Sequence, residues 1–295
     1  MADAAPGQAP IVQGPIAQGP IAIVCGGGSL PGAVAEAVRR RGREPIMFAL
    51  RGWADAGVVE RYTHHWIAIG QIGRFFRLAH AAQCRDVLMI GTLLRPPLRR
   101  LRLDWQTIRM MPRIVAAFRG GDDRLLGGVA RLMENAGFRV IGVGDVAPEV
   151  FVPEGALGSV KPSERDADDI VRGLKLIAAL GPFDVGQAAV VANNNVLAVE
   201  AAEGTDNMLT RIAELRRQGR VTAPPGSGVL VKAPKPTQDR RFDLPSIGPQ
   251  TVENAARAGL AGVAVVAGST VIAEPAAVAA AADRANIFVV GVRGD

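Results

Sequence analysis

The sequence predicts an α/β protein of two domains, an N-terminal Rossmann-like parallel sheet followed by a C-terminal α/β domain on a mixed sheet. Three observations carry this expectation. Short β-branched runs alternate with amphipathic runs of helical period, the pattern of strands connected through helices. The chain has 295 residues, 48% of them apolar, enough for two cores at roughly 100–200 residues per domain. Between residues 148 and 162 it is punctuated by Pro and Gly and loses any period, which sets the boundary there. The expected division is a flexible tail over 1–20, a first domain over 21–155 and a second, carrying the catalytic loop, over 156–295.

Each element has a local cause. Residues 1–20 nearly repeat Gln-Gly-Pro-Ile-Ala, and proline denies them a helix. The β-branched run 21–25 is a strand that stops in Gly26-Gly27-Gly28-Ser29. Residues 33–41 are helix formers with Gly42 as C-cap. Strands are expected over 45–50, 66–69 and 86–90, with a helix over 72–82 before the last of these. A helix over 124–135, closed by Gly137, and a strand over 139–143 follow. In the second half Ser163 caps a helix over 164–180 with acids in its first turn. The runs 187–192 and 196–200 flank Asn193-Asn194-Asn195 as a hairpin. Helices over 207–218 and 251–258, and strands over 228–232, 262–267, 270–272 and 287–292, complete the pattern.

Lys and Arg total 34 against 28 Asp and Glu, a net charge of +6, yet only Lys161, Lys175, Lys232 and Lys235 are lysines. A basic balance points to nucleic acid, a membrane surface or phosphate. Aromatics make up 4%, too few for base-stacking platforms, so no nucleic acid is expected. Cys25 and Cys84 have neither disulfide nor zinc spacing, as befits a reducing cytosol. The first basic residue is Arg39, which leaves no charged start for a secretory signal. The most apolar stretch, 258–273, is shorter than a membrane span.

Several catalytic engines are excluded by their missing parts. Gly-x-Ser-x-Gly is lacking, and no lysine follows a glycine as a Walker loop requires. His64, His65 and His80 are too few for a dinuclear phosphoesterase centre. The run 131–138 has one glutamate, Glu134, where a Nudix-type metal helix needs several, so it reads as an ordinary amphipathic helix.

Charge concentrates between Arg74 and Arg131, where 12 Arg meet four Asp. Leu98, Leu101, Trp105, Ile108, Val115 and Phe118 recur there at helical steps, with Arg99, Arg100, Arg102, Arg109 and Arg113 between them. Such a stripe lies on an anionic membrane surface, or faces a core with its arginines solvated. The glycine turn 26–32 joins a strand to a helix, where backbone N–H groups and the helix dipole meet a phosphate. Its spacing is a loosened Rossmann one, and Arg51 stands where an acid would hold a ribose. The turn therefore fits a phosphate or uridine, the 2′-phosphate of NADP, or a plain strand–helix corner.

The second half holds denser chemistry. Residues 200–206 place Glu200, Glu203, Thr205 and Asp206 across a strand end and a helix start, where Thr205 or Asp206 also serves as an N-cap. The segment 232–251 gathers two of the four lysines with Asp239, Arg240, Arg241 and Asp243, on a loop stiffened by four prolines. Phosphoryl chemistry needs cations for the nonbridging oxygens and a carboxylate that holds Mg2+ or orients water. This loop supplies that set.

Residues 26–31 (Gly-Gly-Gly-Ser-Leu-Pro), 198–206 (Ala-Val-Glu-Ala-Ala-Glu-Gly-Thr-Asp) and 232–251 resemble the UDP-2,3-diacylglucosamine pyrophosphatases of the LpxI type. The likeness runs in the same order from Ile21 on. It implies two α/β domains with a lipid held between them, and a Mg2+-dependent enzyme of lipid A biosynthesis in a Gram-negative bacterium. The implied reaction converts UDP-2,3-diacylglucosamine to 2,3-diacylglucosamine 1-phosphate (lipid X) and UMP, water attacking the phosphorus nearer the sugar. The implied location is cytoplasmic, peripherally associated with the inner membrane.

The resemblance also marks Gln238-Asp239-Arg240-Arg241 and makes Asp239 the essential carboxylate. Carried onto this chain, Asp239 binds Mg2+ or aligns the water, with Asp206 and Glu203 as partner metal ligands. Lys232, Lys235 and Arg240 neutralise the diphosphate. Gly26, Gly27, Gly28 and Ser29, with Thr205, Gln238 and Thr251, contact the substrate. A homodimer stays open, as do two other readings, an NADP-dependent reductase and a non-catalytic module for anionic lipid or RNA.

Overall fold

The computed structural model describes residues 19–93, 102–118, 122–236 and 239–294. Its first half places β1 (Ile21–Cys25), α1 (Leu30–Arg40), β2 (Pro45–Leu50), α2 (Ala56–Val59), β3 (His64–Ile67), α3 (Ile72–Ala81) and β4 (Asp86–Ile90). Then come α4 (Trp105–Phe118), α5 (Asp122–Asn135), β5 (Arg139–Val140) and α6 (Val143–Val146). The five strands form one parallel sheet in the order β3-β2-β1-β4-β5.

The second half places β6 (Gly155–Ala156), α7 (Glu164–Leu180), β7 (Ala188–Ala192), β8 (Asn195–Val199), α8 (Gly204–Arg217), β9 (Val229–Lys232) and β10 (Ser246–Ile247). It ends with α9 (Pro249–Arg257), β11 (Gly262–Val266), β12 (Val271–Ile272), α10 (Pro275–Ala285) and β13 (Phe288–Val292). Six of these strands make a sheet ordered β6-β13-β11-β9-β7-β8, while β10 and β12 pair separately. β9, β11 and β13 are parallel, and β6, β7 and β8 join through antiparallel pairs, so this sheet is mixed.

Strand alternation explains why each sheet is covered on both faces. Ile21, Ile23, Met47, Ala49 and Leu88 face α1 (Val34, Ala35, Val38). Their neighbours Ala22, Ile46, Phe48, Leu50 and Val87 face α3 (Phe75, Phe76, Ala79) and α5 (Met133). A two-residue period thus splits one strand between two cores, and strands covered on both faces read as continuous apolar runs. The second sheet does the same, with α8, α9 and α10 on one face and α7 on the other.

Local signals fail where tertiary context decides. The strand expected over 139–143 ends at Val140, because Asp145 accepts the Gly142 N–H at 2.8 Å and the chain turns into α6. The third strand lies at His64–Ile67, not 66–69. Helix α8 begins at Gly204, three residues before the expected start. Helix α10 was not foreseen: its alanine run favours helix strongly but gives little amphipathic period. The stripe expected from Leu98 becomes helical only at Trp105, and Leu98, Arg99, Arg100 and Leu101 lie outside the described residues. Asp104 explains that start, accepting Thr107 N–H and Oγ1 (2.8 and 2.7 Å) while also accepting Arg74 N–H (2.8 Å) at the head of α3. The tail over 1–18 is likewise outside the described residues.

At the amino-terminal ends of β4 and β5 the fully buried Asp86 accepts from Arg43 Nη2 (2.7 Å), Arg139 Nε (2.7 Å) and Arg139 Nη2 (3.0 Å). Arg43 Nε also donates to the Gly19 carbonyl at 2.8 Å, which fastens the chain entering β1. Removing one member of a buried ion pair leaves uncompensated charge. Asp86→Ala is expected to cost about 3 kcal/mol, measured by urea unfolding; a loss under about 1 kcal/mol would show the cluster to be solvated.

Candidate active site

In an open α/β sheet a ligand crevice forms outside the carboxyl ends of the strands, where the strand order reverses. Here that point lies between β1 and β4. β1 runs into Gly26–Ser29 and β4 into Gly91-Thr92, and the two loops are stitched by Gly27 N to Thr92 O and Thr92 N to Gly27 O, both 2.9 Å. A Cβ on Gly26 would stand 2.3 Å from the Thr92 carbonyl oxygen, and one on Gly27 3.0 Å from that of Trp53. Backbone packing therefore demands glycine at 26 and leaves a side chain at 27 tightly placed. Gly28 differs, with φ +92°, open space around it and, like Ser29, an exposed position at the start of α1. No side chain caps α1.

The loop 233–245 leaves β9 of the second sheet and crosses to the first half. Phe242 packs on the cluster around Phe75 and Phe76, and Leu244 on that around Ile21 and Leu88. The Arg241 Cα lies 3.4 Å from where a Cβ on Gly142, just beyond β5, would sit. Asp239 is thus held at the carboxyl end of the first sheet, the same end as the glycine turn.

Arg241 surrounds Asp239. Its backbone N–H donates to Oδ1 at 3.0 Å, Nε to Oδ1 and Oδ2 at 3.1 and 3.2 Å, and Nη2 to Oδ2 at 2.8 Å. Burial pushes the Asp239 carboxyl up, but hydrogen bonds and charge from Arg241 outweigh it and hold the group below the usual carboxylate range. The carboxylate is ionised and fixed in plane. Arg241 Nη1 donates further to Glu134 of α5 at 3.0 Å, and its guanidinium lies 5.1 Å from the Phe242 ring centre. Arg240 is exposed, and Gln238 lies outside the described residues.

Lys232, at the end of β9, is 6% exposed and donates to the Ser246 carbonyl at 2.9 Å. Burial pushes its ammonium down from the ordinary lysine value, against the opposing charges of Glu200, Asp206 and Asp243. Glu200 is itself buried, accepting from Gln187 N–H (3.0 Å) and Thr205 Oγ1 (2.9 Å). Asp206 accepts from Asn254 Nδ2 at 2.6 Å. Neither Thr205 nor Asp206 is an N-cap, since α8 starts earlier and Glu203 occupies that position. Thr251 Oγ1 accepts from Gly248 N–H at 3.4 Å in the first turn of α9.

The remaining expected residues are committed elsewhere. The Lys235 ammonium, buried, pairs with Asp184. A Cβ on Gly181 would meet Pro236 Cδ at 2.6 Å, so this end of the loop is pressed against the end of α7. Glu203 pairs with Arg211 at 2.8 Å.

The structure therefore assembles two charge groups, Lys232 among Glu200, Asp206 and Asp243, and Asp239 with Arg241 and Glu134. It does not join Asp239, Asp206 and Glu203, and among the described residues no group of three or more His, Cys, Asp or Glu is placed to hold a metal ion. Each of those three carboxylates is engaged by a protein donor, Asp239 by Arg241, Asp206 by Asn254 and Glu203 by Arg211. Sequence reasoning named Glu200, Arg241 and Glu134 but gave none of them a role at the site. Arg241 had two signals, its place closing the Gln238-Asp239-Arg240-Arg241 stretch marked by the resemblance and its position two residues after an aspartate, where an Asx-turn closes from side chain to backbone.

Family models match both halves of the chain. Residues 20–150 match the model of the LpxI N-terminal domain and residues 153–290 that of the LpxI C-terminal domain. UDP-2,3-diacylglucosamine pyrophosphatase LpxI of Caulobacter vibrioides is 41% identical over 270 residues, covering 92% of this chain and 96% of the relative. A crystal structure of UDP-glucose-4-epimerase from Stenotrophomonas maltophila, with bound NAD and formylated UDP-arabinopyranose, aligns over 93% of this chain and 94% of that one. At 14% identity and a TM-score of 0.27 it has no bearing on the fold. Two consecutive family models spanning both sheets, and a relative matched over nearly its whole length, agree with the three motifs that carried the resemblance: the chain belongs to the LpxI family.

Proposed function

We propose that this protein hydrolyses the diphosphate of UDP-2,3-diacylglucosamine to 2,3-diacylglucosamine 1-phosphate and UMP in lipid A biosynthesis. The supporting observation is the oriented, ionised Asp239, brought by a loop from the second sheet to the carboxyl end of the first, the end where the glycine turn lies. A reductase reading leaves that loop without a role.

On this reading Gly28 and Ser29, exposed at the head of α1, meet a phosphate or the uridine end, where the helix dipole favours negative charge. Asp239 aligns the attacking water. The exposed Arg240 beside it meets charge growing on the nonbridging oxygens. Lys232 organises Glu200, Asp206 and Asp243, and Lys235 moors the loop through Asp184. Magnesium is part of the proposal. With no carboxylate cage assembled among the described residues, it would be held by one or two carboxylates together with the substrate's phosphates, as Mg2+ commonly is.

A diacylated substrate resides in a bilayer, and we place the protein peripherally on the anionic cytoplasmic face of the inner membrane. Trp105 is 78% and Ile108 47% exposed at the start of α4, with exposed Leu103, Arg102 and Arg109 beside them. Aromatic and aliphatic groups flanked by arginine suit such an interface. No described helix is long and apolar enough to cross a membrane.

Three outcomes are expected. With UDP-2,3-diacylglucosamine and Mg2+ in heavy-oxygen water, UMP is released and the label enters the sugar 1-phosphate, while EDTA stops the reaction; no UMP with any divalent metal, or label in UMP, would overturn the assignment. Asp239→Asn lowers kcat by ~100-fold or more with its melting temperature kept, and near-wild-type turnover would remove Asp239 from the chemistry. Trp105→Ser weakens co-sedimentation with vesicles of anionic phospholipid severalfold, and wild-type sedimentation would take α4 off the membrane.

A further inference from the structure

Asp239 has one guanidinium for a neighbour, and that guanidinium is itself held from the far side by a residue of the other half of the chain. Nε and Nη2 of Arg241 lie against the two oxygens of Asp239, while Nη1 reaches Glu134 on α5 at 3.0 Å, 107 residues away in sequence. Phe242, under the guanidinium at 5.1 Å, is anchored in the first-half core. Two carboxylates and one ring thus fix both the position and the plane of the group. A planar guanidinium presents donors in a rigid fork, a geometry lysine cannot copy.

We infer that Arg241 is the positioning residue for Asp239, and that Glu134 completes the clamp by holding Arg241 from the first half. The inference rests on the reading of Asp239 given above. In the clamp the carboxylate is aimed only while the loop is docked between α5 and the end of β5. Stability does not account for the Glu134 pair: Glu134 is 42% exposed, and ion pairs this open to water contribute little to folding. Its consequence is geometric, and misplacing a reacting group by about 1 Å costs on the order of 10²-fold in rate. Glu134 is also the single acid of the run 131–138, which lacks the glutamates of a Nudix-type metal helix, and the clamp gives that acid a partner.

The test uses the full chain. kcat and KM for UDP-2,3-diacylglucosamine are measured in wild type, Arg241→Lys, Glu134→Gln and Glu134→Asp, together with hydrogen–deuterium exchange of residues 236–244 without substrate. Arg241→Lys is expected to lose about 100-fold and Glu134→Gln about tenfold in kcat, with KM and melting temperature little changed. Glu134→Asp, which keeps the charge, recovers most of the loss, and Glu134→Gln speeds exchange in the loop. Wild-type kcat or wild-type exchange in Glu134→Gln overturns the inference. Silence of the wild-type enzyme refutes the hydrolase assignment instead, and the exchange comparison still decides the clamp.

Discussion

Everything at the site depends on a loop that leaves one sheet and is anchored on another. The segment 233–245 starts from β9, is pinned by Lys235 to Asp184 and by Pro236 to Gly181, and then buries Phe242 and Leu244 among side chains of the first half. Apolar burial of this kind has no direction of its own, but anchors at Pro236, three residues before Asp239, and at Phe242 and Leu244, one and three residues after Arg241, leave the charged stretch little freedom. Pro236, Phe242 and Leu244 are apolar anchors, so the charged residues between them carry less of the loop's attachment. They are available for orientation.

The charged groups themselves divide by depth. Asp86 with Arg43 and Arg139 closes the amino-terminal end of the first sheet, opposite the end that carries the glycine turn. Lys232 and its surrounding acids sit at the carboxyl end of β9, with Glu200 and Thr205 tied together beneath the start of α8. Asp239 and Arg241 are nearer the solvent. Deep pairs of the first kind fasten strands, since breaking them strands a charge. The partly open pairs alter little in folding and much in aim.

Much of this architecture was legible in the chain because its causes are local. β1, β2 and β4 match the expected bounds, each a continuous apolar run covered on both faces. Helix α7 also matches, for Ser163 and Asp166 form their reciprocal cap within four residues. Helix α10 escaped because alanine favours helix without marking a buried face. At the site, the loop stood out by its charge and prolines, and Arg240 was expected on the diphosphate while Arg241 was given no role. The hydrogen bonds favour Arg241. Glu134 could not be found this way at all, as its partner lies 107 residues on and neither residue marks the other in the sequence.

That same separation has a bearing on synthesis. A chain emerging from the ribosome at roughly 5–20 residues per second folds its first domain before the next is made. Once Glu134 has been added, Arg241 is 107 residues behind, a lag of roughly 5–20 seconds at that pace. Through that interval the first sheet can close its cores and its stitched glycine turn, yet it has no carboxylate of the loop to aim. A nascent or truncated chain therefore lacks the aimed carboxylate, and the clamp is among the last contacts the protein makes.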